Sequence, residues 1–186
     1  MAQNLDQVRR KILLVFDING TLLKKIDGNN QIKNSLITDT RCLRPFAPQL
    51  AEFLNNANVD YAFWTTQKNQ KAEKSVSALL KFGFTNSKFI WKGNDCKRRN
   101  IKDLSQIVEQ FPEYIAENIL IIDDTSSKII NKERFIKVST FCLDDLETDK
   151  ELLYLKNYLT TLINNLNLNE SNCVEYLQKN KYSKLN

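Results

Sequence analysis

Histidine is absent from this chain of 186 residues. Its absence excludes the arrangements that need an imidazole, namely Ser-His-Asp and Cys-His nucleophiles and histidine-ligated zinc. The four cysteines form no C-x-x-C pair, and none is followed by arginine six positions later. A disulfide framework, a cysteine zinc site and a thiolate phosphatase loop are therefore not indicated. We expect reduced thiols in an intracellular, cytoplasmic protein.

Glycine is also scarce, and its four positions are too far apart for a P-loop or a dinucleotide-binding fingerprint. No apolar run approaches the roughly 18 residues of a membrane span, and no start resembles a signal peptide. We therefore expect no membrane insertion within this chain. The net charge of +5 is modest and spread along the sequence, so it favours phosphorylated or acidic partners weakly and does not indicate nucleic acid. Any chemistry is left to carboxylates, hydroxyls, lysines and a metal ion.

Short apolar runs alternate with helical patterns, which predicts an α/β fold: a parallel sheet with helices on both faces. The predicted strands are 12–16, 60–66, 118–124 and 134–140, with a short strand or flap at 88–93. The predicted helices are 48–57, 70–84, 102–111, 144–166 and a weaker one at 172–180. No Pro/Gly-rich linker divides the chain, so we expect one domain over 1–186, with a core at about 11–142 and a C-terminal helical extension at 143–186.

Two of these strands end in acid. Asp17 follows the run ILLVF, and Asp123 and Asp124 end the run NILII. Parallel strands present ligand sites beyond their carboxyl ends, so neighbouring strands would bring these carboxylates together. Like charges at that distance repel, and a divalent cation would compensate them, with Mg²⁺ suited to oxygen ligands. One strand-end aspartate is more often a turn or cap residue, but two such ends favour a metal site.

Other residues complete the set that aspartyl-phosphate chemistry needs. Thr65 and Thr66 end the second strand, where a hydroxyl can bond a phosphoryl oxygen. Lys102 is expected at a helix beginning, where it would supply a positive charge. In that chemistry a carboxylate attacks phosphorus, cations neutralise the developing charge, and water then hydrolyses the acyl phosphate.

At these positions the sequence resembles the haloacid-dehalogenase (HAD) superfamily. DINGTLL is similar to its first motif, D-x-D-G-T-L, FWTT to the second, Lys102 to the third and IIDD to the fourth. The blocks LRPFAPQLAEFL, FWTTQKNQKAEKSVSALL, RRNIKDLSQI and ILIIDDTSSKII resemble, more closely, the FCP/SCP (NLI-interacting-factor-like) phosphatases. The resemblance runs from about 11 to 142, and the helical region from about 143 lies outside it. It implies a three-layer, Rossmann-like sheet.

The resemblance also implies roles for individual residues. Asp17 would be the nucleophile and a Mg²⁺ ligand, Asn19 would offer its main-chain carbonyl to the metal, and Asp124 would be the second side-chain ligand. Asp123 would orient the metal shell. The remaining candidates are Thr65 and Lys102 as holders of the phosphoryl oxygens, Gly20 and Thr21 in the turn after Asp17, and Thr66 and Arg99 as further substrate-binding residues.

Asn19 departs from the family pattern, because the aspartate usually found there acts as general acid and base. An amide can do neither, although the backbone carbonyl that would bind the metal is kept. General acid catalysis contributes about 10²–10⁴-fold and matters most for poor leaving groups. A tyrosine phenolate, with a pKa of about 10, departs with less protonic help than a serine or threonine alkoxide. Phosphotyrosine is therefore the expected substrate.

Three alternative explanations of Asn19 remain open. It is a deliberate substitution that traps substrate, or the protein is a pseudophosphatase that only binds phosphoprotein, or the Asn-Gly pair converts in part to aspartate by deamidation.

The segments between the motifs leave room for a small flap but not for a large cap domain. An open site favours a phosphorylated protein or peptide over a metabolite, although a small-molecule phosphatase of the same fold is an alternative. Trp91 and the basic run 97–99 lie near Lys102 and are candidates for contacting an acidic phosphopeptide. Packing of Trp91 in the core is an equally good interpretation. We expect a monomer.

Overall fold

The computed structural model describes residues 11–26, 35–38, 40–98, 100–168 and 172–183. The strands are β1 Leu13–Phe16, β2 Leu23–Lys25, β3 Ile37–Thr38, β4 Arg41–Leu43, β5 Asp60–Trp64, β6 Ile90–Trp91, β7 Ile119–Asp123 and β8 Phe135–Lys137. The α-helices are α1 Ala47–Asn56, α2 Asn69–Lys81, α3 Ser105–Gln110, α4 Glu151–Leu168 and α5 Cys173–Lys179.

The main sheet is parallel, and its five strands follow the order β6-β5-β1-β7-β8. β1 is the central strand and is completely buried, as its uninterrupted apolar sequence predicts for a strand covered on both faces. Phe16 pairs with Phe63 of β5 and with Ile122 of β7. The residues that follow these three strands therefore meet at one edge of the sheet.

Alternation along β1 divides the interior into two hydrophobic clusters. Leu14 and Phe16 belong to the larger cluster, together with the buried faces of α1, α2, α4 and α5. Leu13 and Val15 belong to the smaller one, which includes Trp64 and residues of α3. Helices thus cover both faces, and the predicted three-layer α/β fold is confirmed.

The insertion between β1 and α1 contains a small antiparallel sheet of order β2-β4-β3, which is the predicted flap. Residues 27–34 of this insertion lie outside the described ranges. Between β5 and α3 the chain forms α2, β6 and a short 3₁₀ turn. Nothing as large as a cap domain is present in the parts of these two insertions that the structure describes.

Two helix beginnings differ from the prediction. Lys102 does not begin a helix but forms a strand-like bridge with Ile129, and α3 starts only at Ser105. The helix predicted from 144 begins at Glu151, after a 3₁₀ turn at Leu143–Asp145. The Asp149 carboxylate accepts the Glu151 N–H at 2.9 Å, which satisfies a donor at the helix start. No helix in the described ranges is long and apolar enough to cross a membrane.

Candidate active site

Asp17 is the first residue after β1, and its N–H still donates to the Ile122 carbonyl of β7 at 2.8 Å. The chain then turns tightly, with the Leu22 N–H bonded to the Ile18 carbonyl at 2.9 Å. Gly20 has φ +89° in this turn, and a Cβ there would lie 2.7 Å from an Asp124 carboxylate oxygen. Glycine is therefore required both by the backbone conformation and by the approach of Asp124.

The two acids at the end of β7 have different surroundings. Asp123 is buried, and its carboxylate accepts hydrogen bonds from Lys102 Nζ at 2.7 Å and from the Thr125 N–H at 2.7 Å. Asp124 is partly exposed and accepts the Thr140 hydroxyl at 2.8 Å, while its backbone N–H donates to Thr21 Oγ1 at 3.2 Å. Asp123 thus faces the lysine, and Asp124 faces the loops that surround the site.

Lys102 is fully buried and places its ammonium between two carboxylates, 2.5 Å from Asp17 Oδ1 and 2.7 Å from Asp123 Oδ2. Its backbone is fixed by the bond from its N–H to the Lys128 carbonyl at 2.8 Å. Burial alone would lower the pKa of Lys102, but the charges of Asp17 and Asp123 outweigh it and raise this pKa above its usual value. The side chain is therefore a fixed positive charge.

Asp17, Asp123 and Asp124 each offer an oxygen, and these three atoms lie within 4.8 Å of one another. Burial raises the pKa of Asp17 to about 6, assisted by the charges of Asp123 and Asp124 and opposed by Lys102. Three carboxylates and one ammonium leave an excess of negative charge at the edge of the sheet. These residues fit a hard divalent cation such as Mg²⁺, which prefers oxygen ligands.

The other predicted site residues lie around this cluster. Thr65 is the first residue after β5 and is buried, with its hydroxyl oxygen accepting the Gln67 N–H at 3.2 Å. Thr66 is partly exposed in the loop that follows. Asn19 is partly buried, and its Nδ2 is enclosed without a hydrogen-bond partner among the described residues. Arg99 lies outside the described ranges.

Trp91 belongs to the core. It is buried and packs edge-on against Trp64, with the ring centroids 4.8 Å apart, and it also contacts Phe89. The structure therefore supports the packing interpretation of Trp91 and not the contact with a phosphopeptide.

Two residues that contact the surroundings of the acid cluster escaped the sequence analysis. Thr140, which bonds Asp124, lies beyond β8, and its place at the end of the predicted strand 134–140 was a signal comparable to that of Thr65. Arg44 is fully buried and bonds the Thr21 carbonyl at 3.3 Å. An arginine before a proline carries no pattern that predicts burial.

A parallel sheet with an acid after its central strand, an acid pair after the neighbouring strand and a buried lysine between them defines a phosphatase domain of the HAD type. The sequence model of the NLI interacting factor-like phosphatases matches residues 12–169, and the chain belongs to this family. The match includes all of α4, so the expected end of the resemblance near 142 was too early. No curated protein matches the chain significantly by sequence.

Solved structures agree on the fold. Fcp1, described as an essential RNA polymerase II CTD phosphatase, has a TM-score of 0.63 at 12% identity, with 87% of this chain and 65% of that chain covered. A fission yeast Fcp1 variant bound to beryllium fluoride has a TM-score of 0.54 at 14% identity, with 88% and 54% covered. A Thermotoga maritima structure described as a beta-phosphoglucomutase has a TM-score of 0.50 at 14% identity, with 78% and 91% covered. The chain thus spans only 65% and 54% of the two Fcp1 chains.

Proposed function

We propose that this protein is a Mg²⁺-dependent phosphatase that hydrolyses phosphomonoesters on protein side chains through a phosphorylated Asp17. The observation that carries the proposal is the buried Asp17 carboxylate at the end of the central strand, beside Lys102 and two further acids. The small flap supports a protein substrate, because the described residues form no cap that would enclose a metabolite.

In the first step an Asp17 oxygen attacks phosphorus, a new O–P bond forms, and the ester O–P bond to the leaving oxygen breaks. In the second step water attacks the acyl phosphate, which releases phosphate and restores Asp17. Lys102 holds its positive charge beside Asp17, where negative charge develops on the transferred group. The Thr65 hydroxyl would bond a phosphoryl oxygen. Asp17, Asp124 and the Asn19 carbonyl would hold Mg²⁺, which supplies further charge neutralisation.

Asn19 determines which phosphomonoesters the protein hydrolyses fastest. Its Nδ2 is buried without a partner in the described structure, so it is available to donate a hydrogen bond, but an amide cannot deliver a proton to the leaving oxygen or activate water. The missing general acid is worth about 10²–10⁴-fold for a poor leaving group. Phosphotyrosine, whose phenolate has a pKa of about 10, is therefore favoured over phosphoserine and phosphothreonine.

The test compares the chain with Asn19→Asp on phosphotyrosine and phosphoserine peptides, in Mg²⁺ and in EDTA. The native chain should hydrolyse phosphotyrosine only with Mg²⁺, and Asn19→Asp should increase phosphoserine hydrolysis more than phosphotyrosine hydrolysis. Asp17→Asn should remove turnover in either background. Turnover that persists in Asp17→Asn or in EDTA would contradict the proposal.

Asn19 also favours a second candidate function, a catalytically impaired domain that binds phosphoproteins. Phosphopeptide binding without turnover in both the native chain and Asn19→Asp would support this function. Turnover of sugar phosphates but not of peptides would instead indicate a small-molecule phosphatase.

A further inference from the structure

Arg44 connects two backbone segments next to the acid cluster, although it contacts none of the three acids there in the described structure. Its Nη1 donates to the Thr21 carbonyl at 3.3 Å and to the Ser139 carbonyl at 2.7 Å, and its Nη2 donates to Ser139 Oγ at 2.8 Å. Its backbone N–H donates to the Leu22 carbonyl at 2.9 Å. A fully buried guanidinium thus joins the turn after β1 to the loop after β8.

The same guanidinium is bound to the segment that leads into helix α4. Its Nε and Nη2 form a two-pronged pair with the Asp149 carboxylate at 2.8–3.1 Å. The Asp149 side chain is only 8% exposed and also accepts the Glu151 N–H at the first residue of α4. Such forked geometry is specific to arginine, because lysine offers a single point charge.

Both segments held by Arg44 also form hydrogen bonds with Asp124. The Thr21 hydroxyl oxygen accepts the Asp124 N–H, and Thr140, next to Ser139, donates its hydroxyl to the Asp124 carboxylate at 2.8 Å. The two segments also bond each other, from the Phe141 N–H to the Gly20 carbonyl at 2.7 Å. The position of the Asp124 carboxylate therefore depends on the position of the two segments relative to each other. Arg44 fixes this relative position.

We propose that Arg44 and Asp149 are a positioning pair that sets the geometry of Asp124 and makes α4 part of the phosphatase site. The proposal rests on the proposed function in one respect, the assignment of Asp124 as a metal ligand. Removal of groups that orient metal ligands reduces metal affinity or activity by about 10–100-fold.

The test uses Arg44→Lys and Asp149→Asn, with Arg134→Lys as the matched control. Arg134 is also buried, but it bonds the Ala116 carbonyl and Glu133, which lie outside the site. Three kinds of measurement are made on each variant of the 186-residue chain: Mg²⁺ affinity by calorimetric titration, kcat and KM on an aryl phosphate, and hydrogen exchange of the Leu22 and Phe141 amides.

Arg44→Lys should bind Mg²⁺ about 10–100-fold more weakly, and its kcat should fall by a similar factor, with little change in KM. The Leu22 and Phe141 amides should exchange faster than in the native chain. Asp149→Asn should show the same pattern to a smaller degree, because its amide still accepts one hydrogen bond. Arg134→Lys should change none of these quantities, even where it lowers the melting temperature.

Unchanged Mg²⁺ affinity and exchange in Arg44→Lys, or equal changes in Arg134→Lys, would overturn the proposal. If Arg44→Lys does not fold, the nearly isosteric Asp149→Asn is used in its place, and unchanged Mg²⁺ affinity and amide exchange in that variant would overturn the proposal. A native chain that neither binds Mg²⁺ nor turns over substrate would contradict the proposed function, and the amide exchange would still decide whether Arg44 positions the two segments.

Discussion

At the scale of single residues, Lys102 is the group that allows Asp17 and Asp123 to lie close together in a buried environment. Substituting Lys102→Met leaves two buried carboxylates facing each other, and loss of one partner of a buried ion pair costs about 3–5 kcal/mol. We expect that decrease in the free energy of unfolding without Mg²⁺, and partial recovery when Mg²⁺ replaces the missing positive charge.

Urea unfolding with and without Mg²⁺ measures this effect. The control is Lys97→Met, which removes an exposed lysine paired with Glu109 and should cost less than about 1 kcal/mol. Equal stability of Lys102→Met and the native chain in the absence of Mg²⁺ would show that the two carboxylates do not require the lysine.

Gly20 allows a second prediction, because the chain contains a matched glycine far from the site. Gly20 and Gly83 both have positive φ, +89° and +98°, so alanine at either position should cost about 1–2 kcal/mol. A Cβ at Gly20 would lie 2.7 Å from Asp124 Oδ2, whereas a Cβ at Gly83 meets only Ala51 Cβ at an ordinary 3.7 Å.

We therefore expect both alanine variants to lose stability in thermal unfolding, Gly20→Ala at least as much as Gly83→Ala, and only Gly20→Ala to lose Mg²⁺ affinity in a calorimetric titration. Loss of affinity in Gly83→Ala, or normal affinity in Gly20→Ala, would disagree with the position of Asp124 described above.

At the scale of elements, the sequence predicted the strands that carry the site and not the connections between them. β1, β5 and β7 are short apolar runs that are followed by polar residues. The sequence therefore predicted that these polar residues meet at one edge of the sheet. The position of Lys102 could not, because its strand-like bridge with Ile129 depends on a segment 27 positions later that has no pattern of its own. Arg44 escaped prediction for the same reason, since its partners come from distant loops.

The beginning of β5 leads to a prediction about pH. Burial tends to raise the pKa of Asp60, but hydrogen bonds from Tyr114, Lys88 and Lys11 outweigh it and lower this pKa below its usual value. Tyr114 Oη donates to Asp60 Oδ2 at 2.5 Å. A lowered folded-state pKa stabilises the protein fully above the unfolded-state value of about 4, and this stabilisation is lost as the pH falls through the folded value.

The free energy of unfolding should therefore fall below about pH 4 in the native chain, and this part of the pH dependence should be weaker in Asp60→Asn. Tyr114→Phe should reduce it as well, because the phenol no longer donates to the carboxylate. Denaturant unfolding from pH 3 to 7 measures the slopes, and an identical slope in Asp60→Asn would contradict the assignment.

At the scale of the whole molecule, the C-terminal helices complete the hydrophobic core. The buried apolar residues of α4 belong to the same cluster as Leu14 and Phe16 of β1 and the inner face of α1. Asp149, which accepts the N–H of the first residue of α4, also holds Arg44. The helix thus supports both the sheet and the loops around the acids, which agrees with a family match that continues to residue 169.

The contribution of α4 to the stability of the fold can be measured by substituting two of its leucines. Leu159 is fully buried and Leu168 is 84% exposed, so Leu159→Ala should lower the free energy of unfolding by about 2–5 kcal/mol and Leu168→Ala by less than about 0.5 kcal/mol.

A chain truncated after Cys142 should show no cooperative unfolding transition in urea, because the apolar face of α1 would lose its cover. A truncated chain that unfolds cooperatively and still binds Mg²⁺ would show that the sheet and the site form without α4.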